Sequence, residues 1–182
     1  MRAWLDRESE TLLQTRVFAV RRVARESPKD GRLHDFWVLD PPDWVNVVAL
    51  TAEGHLLLVE QWRHGTGERT LEVPGGMVDL GESAEEAARR ELLEETGFEA
   101  ETFEAIGCVE PNPAIQSNRC TTFLARGCRL VQAPAFDTTE ECGLVQVPAT
   151  EVAMLVREGV ISHAIVLAAL SHAWVRGVLP VG

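Results

Sequence analysis

The sequence predicts an α/β fold in which a mixed sheet is sandwiched by helices, preceded by an N-terminal antiparallel β extension. Three observations lead there. Short apolar or alternating segments recur on both sides of one helical stretch at residues 83–97. A second long helical pattern closes the chain. Two strand-like segments within residues 11–40 are separated from the remainder of the chain by PPDW, a double-proline breaker. Strands flanking a central helix, with another helix at the end, fit a sheet covered on both faces.

Each element has its own signal. TRVFAVRRVAR and LHDFWVLD alternate in part, and SPKDGR between them supplies proline, aspartate and glycine for a turn. WVNVVAL and HLLLVEQWR read as strands joined across TAEG, and ERTLEV comes next, before a Pro-Gly-Gly break. Ser83 and Glu86 form a capping box, alanines, leucines and glutamates then run without a breaker, and Gly97 is the expected left-handed stop. FEAIGCVEP, RCTTFLARG and GLVQVP are further strands. PATEVAMLVREG and ISHAIVLAALSHAWVRG read as helices, the second with an apolar stripe and Gly177 near its end.

Composition narrows the function. The chain has 182 residues, 46% hydrophobic and 25% charged, an ordinary soluble globular balance with room for one sizeable core. A net charge of −11 argues against general nucleic-acid binding, which requires a basic surface. Apolar runs such as AIVLAAL are too short to span a bilayer, and the N-terminus lacks a signal-peptide apolar core. Cys108, Cys120, Cys128 and Cys142 form no CxxC pair and lack zinc spacing, so buried thiols in a reducing, cytoplasmic compartment are expected.

The chemistry concentrates in GMVDLGESAEEAARRELLEETGF, residues 76–98. Around the helix, Glu94 and Glu95 each lie within about 60° of Glu91. Carboxylates that close repel one another, and a hard divalent cation relieves the repulsion by taking oxygen ligands. Ala84, Ala87 and Ala88 are read on the same face, where small side chains would let a phosphate approach. Arg90 stands four residues before Glu94 and can pair with it. Gly75 and Gly76 permit close backbone approach to a ligand.

Gly76, Glu82, Arg90, Glu91, Leu92, Glu94, Glu95, Gly97 and Phe98 fall where the Nudix box requires them, so the chain resembles a Nudix hydrolase. QWRHG, Pro113 and the GVISHAIVLAAL helix extend the resemblance toward the subgroup that hydrolyses ADP-ribose and related nucleotide sugars. That resemblance implies an α/β/α sandwich over residues 45–182 and a β extension over 1–44, used for homodimerisation and base binding. It implies Mg2+, with Mn2+ as a substitute, held by Glu91, Glu94, Glu95 and the carbonyl at Gly76, with Glu82 as a further ligand.

The implied reaction is hydrolysis of ADP-ribose to AMP and ribose 5-phosphate. The loop AFDTTEECG offers Glu141 and Glu140 as general base, with Asp137 third; Glu95 and Arg90 complete the catalytic set. Arg63 would bind a phosphate, Glu72 would orient Arg63 or the substrate, and Phe36 or Trp37 would stack on adenine. Arg21, Arg22 and Arg25 form a small basic cluster that is open to a phosphate, a partner subunit or solvent. GDP-mannose, a dinucleoside polyphosphate or an oxidised nucleoside triphosphate are alternative substrates, and a non-catalytic nucleotide-sugar sensor is the alternative outside enzymes.

Overall fold

The computed structural model describes residues 2–135 and 142–181, and they divide into two compact units. The first comprises Met1–Pro42 with Glu110–Arg119, and the second Asp43–Val109 with Cys120–Gly182.

The first unit is a three-stranded antiparallel sheet of β1 (Leu5–Gln14), β2 (Ala19–Glu26) and β3 (Leu33–Asp40), with β2 in the middle. β1 corrects the expectation of two strands. Every residue of LDRESETLLQ is exposed, so no buried face imposes an alternation that a sequence pattern could show. Cross-strand pairing holds it instead: Arg25 reaches Asp6 at 2.7 Å and Arg7 reaches Glu26 at 2.7 Å. The basic cluster is taken up in the same way, with Arg21 on Asp40 and Arg22 on Asp35, both at 3.0 Å. Ser117 hydrogen-bonds Asp40 and, with Arg21, lowers that carboxyl's pKa. Pro113 is exposed in the loop that Leu39 meets through a bridge to Gln116.

The second unit carries an eight-stranded mixed sheet. Its path runs β11 (Cys142–Pro148), β5 (His55–Arg63), β4 (Trp44–Thr51), β10 (Cys120–Leu130), β8 (Phe98–Glu99). β6 (Glu68–Glu72) pairs with β5, β7 (Gly75–Met77) with β4, and β9 (Thr102–Val109) with β10. β4 and β10 run parallel and the other pairs antiparallel.

Alternation along the central strands creates two cores. Val45, Val47, Ala49 and Leu57 pack with Ala87, Ala88 and Leu92 of α1 (Ala84–Thr96). Val48, Leu50, Leu56 and Leu58 pack with Val152 of α2 (Val152–Arg157) and with Val166, Ala169, Leu170 and Ala173 of α3 (Ala164–Val175). This is the expected sandwich, and each fully buried Leu or Val adds about 1.5–3 kcal/mol of apolar burial. It also corrects the reading of two alanines. Ala87 and Ala88 are wholly buried against the sheet, so their small size serves close helix–sheet packing rather than phosphate access.

Cys120 and Cys128 are buried free thiols whose pKa burial pushes up to about 12, so they are poor nucleophiles. Cys108 departs from expectation in being exposed. Among the described residues, no helix is long and apolar enough to cross a membrane.

Candidate active site

The box folds as its local chemistry dictates. Ser83 Oγ accepts from the Glu86 amide at 3.2 Å, and the Glu86 carboxylate accepts from the Ser83 amide at 2.8 Å. Gly97 closes α1 in the left-handed region at φ 75°, donating its N–H to the Leu93 carbonyl. Between these caps, α1 carries its glutamates toward β7. β7 itself is a glycine strand paired to β4, with Gly76 opposite Val45 and Gly75 opposite Asn46.

Both glycines are required by what lies next to them. A Cβ on Gly75 would stand 2.2 Å from the Val45 carbonyl oxygen, and one on Gly76 would stand 2.3 Å from Glu91 Oε1. Without those methyls, Glu91 lies against the strand. Glu95, 6% exposed, turns its Oε2 to accept the Gly75 N–H at 2.9 Å.

Arg90 organises the remaining carboxylates. Its Nε and Nη2 donate to the two Glu82 oxygens at 3.0 Å each, Nη1 donates to Glu91 at 2.8 Å and Glu94 at 3.3 Å, and Nη2 donates to the Met77 carbonyl at 2.9 Å. The expected Arg90–Glu94 contact is therefore the longest of these five hydrogen bonds. These bonds, Glu82's foremost, hold the guanidinium charged with its pKa raised, and hold the Glu82 carboxyl below its ordinary value.

A second cluster forms on β5 and β6. Arg63 Nε and Nη2 grip Glu72 with two 2.7 Å bonds. Thr70 Oγ1 donates to the same carboxylate at 2.6 Å, and His163 Nδ1 stands 2.7 Å from Glu72 Oε2. Glu72 is 2% exposed. Burial opposes its charge, but the hydrogen bonds from Arg63, His163 and Thr70 with the Arg63 charge outweigh it and hold the carboxyl well below the carboxylate range.

The two clusters face one cavity of about 510 Å³, within the size range of small-molecule sites. Its lining brings together Gly76, Glu91, Glu95, Arg90, Arg63 and Glu72 from the sequence-derived set. Glu94 is exposed beside Arg90 and is not among the lining residues. Phe36 and Trp37 belong to the first unit, where Phe36 packs edge-on to Trp4 and Trp37 is 59% exposed. Glu140, Glu141 and Asp137 lie outside the described residues.

Trp44, one of the aromatics near the N-terminal strands, also lines the cavity, as do Gln61 and His163, which were not in that set. Nothing local in SHAIVL marks His163, because its partner Glu72 is 91 residues away in sequence.

The family model for the NUDIX domain matches residues 40–170. The chain belongs to the Nudix family. This Nudix hydrolase is similar to the ADP-ribose pyrophosphatase of Mycobacterium tuberculosis (strain ATCC 25618 / H37Rv), 32% identical over 162 residues, which cover 88% of this chain and 78% of that protein. It is similar to the methanol dehydrogenase activator of Bacillus methanolicus, 26% identical over 156 residues, 83% of this chain and 84% of that protein. A crystal structure of an ADP compounds hydrolase superposes with a TM-score of 0.84 at 25% identity, covering 97% of this chain and 96% of that one.

Nudix hydrolases generally use divalent metals, and the residues of this site fit one in chemistry. The donors at the glycine strand are all hard oxygens, and the missing Cβ of Gly76 is what lets Glu91 reach the backbone. Among the described residues, no group of three or more acidic, histidine or cysteine side chains is arranged to hold a metal ion. Arg90 bridges Glu82, Glu91 and Glu94, while Glu95 accepts from the Gly75 N–H.

Proposed function

We propose that this Nudix hydrolase cleaves the pyrophosphate bond of a nucleoside diphosphate sugar, ADP-ribose foremost, to give AMP and ribose 5-phosphate. One observation carries the reading: a single cavity sets the carboxylates Glu91 and Glu95 near the cations Arg63 and Arg90. A diphosphate bound through a cation needs both. The M. tuberculosis relative, matched over most of both chains and named for ADP-ribose, supports the choice of substrate.

Glu91, Glu94, Glu95 and the Gly76 carbonyl would hold Mg2+, with Mn2+ able to replace it. A divalent cation there supplies charge neutralisation for the diphosphate and a more acidic water. Arg63, kept in place by Glu72, binds a phosphoryl oxygen. Arg90 fixes the directions of the box carboxylates. A water oxygen bonds to phosphorus, the bridging P–O bond breaks, and the water's proton passes to Glu141, or alternatively Glu140.

The β extension over residues 1–44 is assigned to homodimerisation and to base binding, with Phe36 or Trp37 stacking on adenine. The exposed Leu5, Leu12, Leu13, Leu33 and Trp37 of the first unit support an apolar contact surface there. The free thiols support a cytoplasmic location.

A panel of nucleotide sugars, dinucleoside polyphosphates and nucleoside triphosphates, assayed with Mg2+ for AMP or phosphate release, tests the substrate. Preference for a triphosphate or a dinucleoside polyphosphate would overturn it. Glu95→Gln tests the site: glutamine keeps an oxygen for the Gly75 N–H, so the fold should hold while most turnover disappears. Unchanged turnover would remove Glu95 from the catalytic set.

A further inference from the structure

Gln61 is a polar residue in a place that favours apolar ones. It comes after Leu56, Leu57, Leu58 and Val59 on β5 and is only 8% exposed. Among the described residues, its side-chain amide has no hydrogen-bond partner. The amide is not sealed from solvent: among the described residues the enclosed, unpartnered side-chain polar atoms are Asn118 Oδ1 and His172 Nε2, whereas Gln61 opens onto the cavity. The strand alternates exposed Glu60 and Trp62 with inward Gln61 and Arg63, and both inward side chains line the active-site cavity.

We infer that Gln61 is a specificity-determining residue whose amide hydrogen-bonds a ribosyl hydroxyl of the substrate. The inference rests on the nucleotide-sugar reading above. Its chemical argument is one of matching. The ionisable groups of the lining, such as Arg63, Glu72, Glu91 and Glu95, suit a diphosphate and its cation, and the other carboxamide there, Asn46, already donates to the Ile165 carbonyl at 3.0 Å. A carboxamide is neutral, with one acceptor and two donors. A hydroxyl is its natural complement, being both donor and acceptor. Diphosphate oxygens would use only the donor half, and an adjacent lysine or arginine would serve them better. A leucine or methionine at position 61 would fill the same space but would offer the cavity no hydrogen-bonding group.

The experiment compares wild type with Gln61→Met on three substrates: ADP-ribose, an analogue whose terminal ribose is a hydroxyl-free cyclopentylmethyl group, and an analogue built on 2′,3′-dideoxyadenosine. Wild type should disfavour one analogue by on the order of 100-fold in kcat/KM, because a site built to bind a hydroxyl rejects a substrate lacking it. Which analogue is disfavoured identifies the sugar. Gln61→Met should lose activity on ADP-ribose and treat that analogue within about threefold of it. The discrimination ratio is independent of how much protein folds, and Gln61→Leu supplies a second measurement of it. Thermal melting of ligand-free Gln61→Met should stay within about 2 °C of wild type, because the amide it removes makes no hydrogen bond among the described residues. Equal loss on all three substrates, unchanged discrimination, or a melting point lowered by several degrees would overturn the inference while leaving the nucleotide-sugar reading standing. Failure of wild type to cleave ADP-ribose or any other nucleotide sugar would overturn both.

Discussion

Glu91 and Gly76 share one small space: a Cβ on the glycine would lie 2.3 Å from Glu91 Oε1 and 2.6 Å from its Cδ. What it would strike is the end of a flexible side chain, so Gly76→Ala can be accommodated by swinging Glu91 away. The fold should survive with a melting shift of about 2–3 °C at most, while turnover falls by on the order of 100-fold because a carboxylate proposed to hold the cation is misplaced. Gly75→Ala differs, since its Cβ would meet the Val45 backbone oxygen at 2.2 Å and backbone cannot step aside cheaply. It should lose soluble, folded protein. Paired melting curves and kcat values check the contrast; equal behaviour of the two variants would contradict it.

Arg90 acts through its fork. Lysine at this position keeps the charge but cannot address both Glu82 oxygens, Glu91 and the Met77 carbonyl together. Arg90→Lys should lower kcat by about 10- to 100-fold and raise the Mg2+ concentration needed for half-maximal rate. Titrating Mg2+ at saturating substrate measures both. An unchanged metal titration would show that the guanidinium does not set the carboxylates.

The box helix was legible because its determinants are local. Ser83, Glu86 and Gly97 act within a turn or two of themselves, and their hydrogen bonds match the pattern read from spacing. The Arg63–Glu72 pair was legible for a similar reason, since one hairpin joins β5 and β6. The side of α1 that Ala87 and Ala88 occupy was misread, because helical spacing groups residues by angle without saying which angle the sheet covers. β1 left no signal because none of its side chains is buried. His163 and Gln61 were missed as site residues for another reason. His163 meets Glu72 only when α3 is laid on the sheet, and Gln61 matters only once a cavity stands before it.

The capping box makes a separable prediction about stability. Ser83→Ala removes the Oγ that accepts from the Glu86 amide and should cost about 1 kcal/mol. For a chain of this size that is a fall of about 2–4 °C in Tm. The carboxylates of the last turn are far from this cap along α1, so kcat at saturating substrate should stay within about twofold. Thermal melts with parallel assays decide it. A large loss of kcat would mean that fraying at Ser83 reaches Glu91.

Glu72 ties stability to pH, and its lowered pKa sets the sign. A carboxyl held below its ordinary 4.5 contributes stability that is present above that value and disappears as pH falls through the folded-state pKa. Arg63→Met removes the bidentate partner and leaves Glu72 buried beside His163. Breaking a buried pair is costly, but the Arg63 side chain is 41% exposed, so the loss at pH 7 should be about 1–2 kcal/mol rather than the larger value for a fully buried pair. As pH falls below 4.5, Glu72 protonates in the variant first and the two proteins should converge in stability. Urea unfolding of each protein between pH 7 and pH 3 measures the gap. A gap that stays constant across that range would show that the Glu72 charge is not what Arg63 stabilises, and the lost stability would then belong to packing of the arginine stem.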